Sequence, residues 1–227
     1  MPYGQALELL RGLAVARRAG GLGETLVLTS HPPVITLGRR GSREDLLLPL
    51  EQLAQRGIAV ERVERGGLVT AHGPGQLMVY PVMSLPALGL GVAALVRSLE
   101  TAGLQVCASL GVRARRREDH PGLWAAGRKI ASLGLAVRRG VSLHGLALYR
   151  RPEPELFSLI NPCGLSSAQI TSLEEELAEP VEPGLLSDLM AASLARALNL
   201  AYRPVSLAQA WEIVRCHASE PAQAALA

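Results

Sequence analysis

The sequence predicts an α+β fold, a mixed or antiparallel sheet with flanking helices, and three observations carry that prediction. Strand-like segments crowd the middle of the chain, helix-like segments lie towards both ends, and the strict alternation of strand and helix that a doubly wound parallel sheet requires is missing. Hydrophobic residues make up 48% of 227 positions, enough for a sizeable core, and no fixed-period repeat or low-complexity tract interrupts them. No linker stands out, so residues 1–227 read as one domain with a helical C-terminal part from about residue 185.

The elements follow in order. Leu7, Leu10, Leu13 and Ala14 recur at helical spacing with arginines opposite, so 3–19 reads as an amphipathic helix stopped by Gly20 and Gly21. Segments 24–29 and 34–37 read as strands separated by His31, Pro32 and Pro33, and 38–42 reads as a turn. A short helix at 50–55 ends at Gly57 and is followed by a strand at 58–63, a glycine-rich loop at 65–76 and a strand at 77–83. A helix from about 92 to 102 is expected to stop at Gly103. The middle third then reads as strands at 104–107, 112–116, 123–126, 129–136 and 141–149, the last two forming a meander. Helices return at 185–198 and, behind Ser206 as N-cap, at 207–214.

Composition narrows the function. A net charge of +3 is too mild for a dedicated nucleic-acid binder, and with 3% aromatic residues the run Arg113, Arg115, Arg116 and Arg117 has little to stack on bases. That run reads as a solvated strand edge or a footprint for an acidic partner. No apolar run approaches the roughly 20 residues that span a bilayer, and the first arginines follow the apolar stretch rather than precede it, so neither a membrane span nor a signal peptide is expected. Three widely spaced cysteines fit a reducing cytoplasm. Among 23 basic residues only Lys129 is lysine, which marks a place where a compact, titratable amine is wanted and a guanidinium would not serve.

Candidate chemistry gathers at a few positions. Cys163 sits in Asn161-Pro162-Cys163-Gly164, a turn that presents a side chain beside free backbone N–H groups and suits a thiolate nucleophile. Lys129 opens an apolar strand, and an ammonium near Cys163 would lower the thiol pKa. His72 lies in a loop of four glycines and a proline with Arg65 and Thr70, whose backbone can approach a ligand closely, but the spacing fits neither a phosphate loop nor a dinucleotide fingerprint. His144 is a second polar group for the same pocket or a hydrogen-bonded core histidine, and Cys163 with either histidine also fits a thiol-protease-like arrangement. Cys107 reads as an inert small hydrophobe, and Cys216 with His217 offers two ligands, too few for a metal site.

Together these blocks resemble the lipoyl(octanoyl) transferase family, the octanoyl-acyl-carrier-protein:protein octanoyltransferases. The resemblance rests on His31-Pro32-Pro33, Thr36-Leu37-Gly38-Arg39-Arg40, Arg65-Gly66-Gly67, Val69-Thr70, His72-Gly73-Pro74-Gly75-Gln76, Tyr80-Pro81, Lys129-Ile130-Ala131, Gly134, His144-Gly145, Ala147-Leu148 and Asn161-Pro162-Cys163-Gly164. It implies the fold of the biotin/lipoate protein ligase catalytic domain, Cys163 as carrier of an acyl thioester, and Lys129 as the residue that lowers its pKa. It further implies that Arg65, Gly66, Gly67, Leu68, Val69, Thr70, Ala71, His72, Ser132, Leu133, Gly134, Gly145, Leu146 and Ala147 line an acyl channel. The donor would be acyl carrier protein with its phosphopantetheine thioester. The acceptors would be lipoyl domains of 2-oxoacid dehydrogenase E2 subunits and of the glycine cleavage H protein. No metal, further cofactor, nucleic acid or membrane is implied. Ala71 stands where the family often has an aromatic, Ser142 where it usually has Thr, and Tyr149 where it usually has Asn, so positions 71 and 149 bear on pocket shape or on a partner surface. The alternatives on the same fold are an ATP-dependent lipoate or biotin protein ligase, which has no need of Cys163, and an amidotransferase moving octanoyl between lipoyl domains. An arginine-rich binding module is the non-enzymatic one.

Overall fold

Two strands, β5 (Gln76–Val82) and β9 (Val141–Tyr149), are buried along their whole length. Side chains alternate across a strand, so such strands need cover on both faces. Leu77, Val79, Leu146 and Leu148 join one hydrophobic cluster, and Met78, Tyr80, Val82, Ala147 and Tyr149 join another. The computed structural model describes residues 1–118, 120–161 and 169–217.

The pair forms the middle of a six-stranded antiparallel sheet with β1 (Thr25–Thr29), β6 (Ala114–Arg116), β7 (Leu123–Ala125) and β8 (Arg128–Arg138), in the order β1-β5-β9-β8-β7-β6. A smaller sheet holds β2 (Val34–Leu37) between β3 (Ala59–Arg62), parallel to it, and β4 (Val69–His72), antiparallel to it. One face of the large sheet packs on α3 (Val92–Ser109) and α6 (Pro183–Leu198) through Leu95, Leu99, Val106, Leu186, Met190 and Leu194. The other packs on α1 (Tyr3–Arg18) through Leu9, Leu10 and Leu13, with α7 (Leu207–Cys216) laid against α1. Short helices complete the chain: α2 (Leu50–Gln55), α4 (Pro154–Phe157) and α5 (Leu173–Leu177). Ser206 caps α7 with a reciprocal bond from Gln209, the arrangement its N-cap signal predicts. Among the described residues no helix is long and apolar enough to cross a membrane.

Two expectations fail for one reason, a glycine serving something other than a stop or a loop. Gly103 does not end α3, which runs on to Ser109, so 104–107 is helical rather than a strand. A Cβ at Gly103 would lie 2.5 Å from Leu123 Cδ1, so the residue lets the helix lie close on β7. The stop comes at Gly111, with φ +87°. The glycine-rich stretch 65–76 likewise contains a regular strand, β4.

Candidate active site

A cavity of about 110 Å3 opens between β4, the 65–68 segment before it, and the paired strands β8 and β9. All of the wall residues proposed from sequence line it except Ala71: residues 65–70, His72, 132–134 and 145–147, with Lys129 among them. Thr70 and His72 face the cavity, while Ala71 packs with Ile35, Leu53 and Met78 in the core. The 65–68 segment is held to β8 by Gly66 N–H donating to Leu135 O at 2.8 Å, and a Cβ at Gly134 would lie 3.0 Å from Gly66 O. Glycine at 134 is therefore what lets the two walls meet.

Behind the apolar lining lies a buried polar layer. Arg65, 8% exposed, donates from Nε and Nη2 to Thr36 Oγ1 at 3.1 and 2.8 Å, from Nη2 to Thr36 O at 2.7 Å, and from Nη1 to Gly66 O at 3.0 Å. Gln76 donates its amide to Ala71 O at 3.2 Å, which turns Oε1 to accept from His72 Nδ1, also at 3.2 Å. That fixes the His72 tautomer with its proton on Nδ1, and Nε2 faces the Thr36 hydroxyl at 3.5 Å. Burial, reinforced by the Arg65 charge, pushes the His72 pKa down to about 3, so the ring is neutral at neutral pH with both nitrogens committed inside the wall. His31 is similar: Nδ1 donates to Met1 O and Nε2 accepts from the Tyr80 hydroxyl, each at 2.8 Å, and burial lowers its pKa to about 4.

His144 departs from the strand around it. Its partner in β8 is Leu135, which packs on the α3 face, but at φ +59° His144 leaves the alternation and sits instead beside Tyr3 of α1. The Tyr3 hydroxyl lies 3.3 Å from Nδ1, and Glu64 Oε2 lies 3.5 Å from Nε2, an electrostatic contact rather than a hydrogen bond. The imidazole, helped by Arg11 at 3.1 Å, holds the Glu64 carboxyl down at about 2. Burial raises the Tyr3 phenol well above its ordinary value, so it stays protonated and donates. Tyr3, Met78, Tyr80, Phe157 and Ile170 also line the cavity, none of them proposed from sequence for that role, as does Tyr149, which stood out there as a departure bearing on pocket shape. Tyr149 bonds Ser132 through the two hydroxyls, its phenol pushed up to about 12 by burial, and its ring meets Phe157 edge-on at 5.4 Å.

Lys129 stands on β8 about 17 Å of strand away from Gly134. Its carbonyl accepts from Thr171 N at 2.9 Å, and it bridges to Ile170 in parallel. Cys163 lies outside the described residues. Of the residues flanking it, Ile160 bridges to Leu46 and Asn161 N donates to Asp45 O at 2.8 Å. Cys107 is buried against α3's apolar partners with its thiol pushed up to about 12, so it is inert at neutral pH. Cys216 is exposed, and no group of three metal-ligating side chains occurs among the described residues.

A largely apolar cavity between a glycine-rich wall and a strand pair, with a lysine in its lining, has the form of a small-molecule site and defines the class as that of a ligand-handling catalytic domain. The chain belongs to the family of lipoyl protein ligase A/B catalytic domains, whose model matches residues 2–195. Curated relatives named octanoyltransferase include one from Acidobacterium capsulatum, 41% identical over 86% of this chain and 83% of its own, and one from Chloroflexus aggregans, 40% identical over 90% and 93%. A third, from Geobacter metallireducens, is 44% identical over 81% of this chain and 83% of its own. Among solved structures, lipoate-protein ligase A bound with ATP superposes with a TM-score of 0.76 at 17% identity, covering 98% of this chain and 93% of that one. A bipartite lipoate protein ligase of Thermoplasma acidophilum, described with its E2 lipoyl domain, gives 0.73 at 16% identity, covering 98% and 91%. At that identity the ligases establish the shared fold.

Proposed function

We propose that octanoyl passes from octanoyl-acyl carrier protein to Cys163, and from Cys163 to a lysine amine of a lipoyl domain. The enzyme is an octanoyltransferase of lipoate biosynthesis, in keeping with curated relatives at 40 to 44% identity over most of the chain. In the first step the Cys163 thiolate attacks the thioester carbonyl and the phosphopantetheine thiolate leaves, taking up a proton. In the second the amine attacks the enzyme thioester, an amide forms, the amine gives up a proton and the Cys163 thiolate is restored. Both steps start from an activated thioester, so the reading calls for no ATP and no cofactor beyond the arm the donor carries.

The observation that carries the reading is the meeting of Lys129 with the glycine-rich 65–72 wall at one apolar cavity. The ammonium supplies the positive charge a thiolate needs, and the wall buries an acyl chain without competing hydrogen bonds, its polar groups being bonded to one another. The acceptors on this reading are the lipoyl domains of E2 subunits and of the glycine cleavage H protein, met in a reducing cytoplasm where the thiol stays free. Intact mass after mixing the chain with octanoyl-acyl carrier protein, without ATP, tests it. The expected result is a thiol-labile gain of one octanoyl group that Cys163→Ser abolishes. No gain, with activity only on free octanoate and ATP, moves the protein to the ligases. Transfer only from an octanoylated lipoyl domain makes it an amidotransferase.

A further inference from the structure

We infer that Trp124 is the positioning residue for Lys129, an inference that rests on Lys129 acting upon Cys163. Trp124 is 1% exposed on β7 and pairs directly with Lys129 across β8, where the register shifts so that Leu123 faces Ala131 and Trp124 faces Lys129. The Lys129 Nζ lies 5.4 Å from the centroid of the indole, within the range of a cation–π contact. The ring is itself fixed, because Trp124 Nε1 donates to His120 O at 3.1 Å.

The stem of the lysine meets Gly122, whose φ is +114°. A Cβ there would lie 3.0 Å from Lys129 Cε and 2.3 Å from Ala131 O, so the bare glycine leaves the space the stem occupies. A lysine side chain has four rotatable carbons and much freedom to lose. Indole and glycine backbone remove that freedom before substrate arrives, which is how a point charge is kept at one place beside a reacting group. Among the described residues the charged and titratable neighbours are Arg117, whose Cζ is 4.5 Å above the same ring, His120 on the loop before β7, and Glu100 of α3, 3.4 Å from Gly122 N. From α5 come Glu175 and Glu176, both engaged by Arg128.

The test compares the whole chain with Trp124→Phe, Trp124→Leu and Lys129→Ala. Alkylation of Cys163 by iodoacetamide is followed against pH by peptide mass, alongside steady-state transfer from octanoyl-acyl carrier protein. Trp124→Leu should raise the apparent thiol pKa, slow alkylation at pH 7 by about three- to tenfold and lower kcat with KM nearly unchanged, and Trp124→Phe should restore most of both. A folded Trp124→Leu with the parent pH profile, where Lys129→Ala shifts that profile, overturns the inference and leaves the proposed function standing. An unshifted Lys129→Ala profile instead removes the premise that Lys129 acts on Cys163. Should Trp124→Leu not fold, emission from Trp124 in a Trp211→Phe background decides: a change on adding Lys129→Ala supports the contact, and none overturns it.

Discussion

The two faces of the large sheet are built on opposite principles. On the α3 and α6 side the core is mainly hydrocarbon, with Glu100 and Ser193 as buried polar exceptions, and even its cysteine is inert. On the α1 side, Arg65, His72, Gln76, His31, His144 and Tyr3 lie buried among aliphatic residues, nearly every polar atom paired. The first face chiefly stabilises, since most of its contacts are non-directional. The second forgoes part of that stability for a wall of fixed shape, because a satisfied buried network admits few arrangements. The cavity opens on the second face.

That contrast can be broken from either side. The largest effect is expected from Lys129→Ala, which should lower kcat/KM for octanoyl transfer by at least about a hundredfold while the melting temperature stays close to the parent's, because one half-buried cation is lost and no residue of either hydrophobic cluster is altered. On the apolar face the reverse should hold: Leu99→Ala, at a fully buried position, should cost about 2–5 kcal/mol in urea unfolding with transfer per folded molecule unchanged. Thr36→Val sits between these extremes. It removes the hydroxyl to which Arg65 donates twice and which faces His72, so about 1–3 kcal/mol of stability should be lost and the KM for the acyl donor should rise with it.

A further effect is a dependence on pH. His72 and His31 titrate near 3 and 4 in the native chain against 6.5 in a model peptide, so between those values the unfolded chain binds protons that the native one does not. Stability should therefore be full above about pH 6.5 and fall as the pH drops towards 3, and His72→Gln should flatten the slope in denaturant midpoints taken across that window. Glu64, held near 2, adds its own loss only below about pH 4.5.

Periodic segments were legible in the sequence: α1, β9 and α6 lie close to where spacing puts them. Glycines misled it, because Gly103 serves close packing and the glycines around β4 serve the approach of two walls, neither of which leaves a local signature. The cavity lining was largely named in advance through the resemblance of its motifs. In the layer behind it Arg65, His72 and His144 were named but not their connections, since Tyr3, Glu64 and His144 come from three parts of the chain and join only through the left-handed turn at His144. Tyr149 stood out only as a departure from the family. Its bond to Ser132 shows that the substituted ring is part of the wall.

The lone lysine, confined between an indole and a glycine, has a consequence for an enzyme whose product is an acylated lysine. A chain of this length would ordinarily expose many amines, each a competitor for its own thioester. Here every other basic side chain is an arginine, whose guanidinium stays protonated and is no nucleophile, and the one primary side-chain amine is held at a fixed place. The catalyst offers almost no surface for self-modification. Amide-linked octanoyl in a reaction mixture then reports on the acceptor, and a tryptic map of the enzyme needs to be searched for it at a single side chain, Lys129.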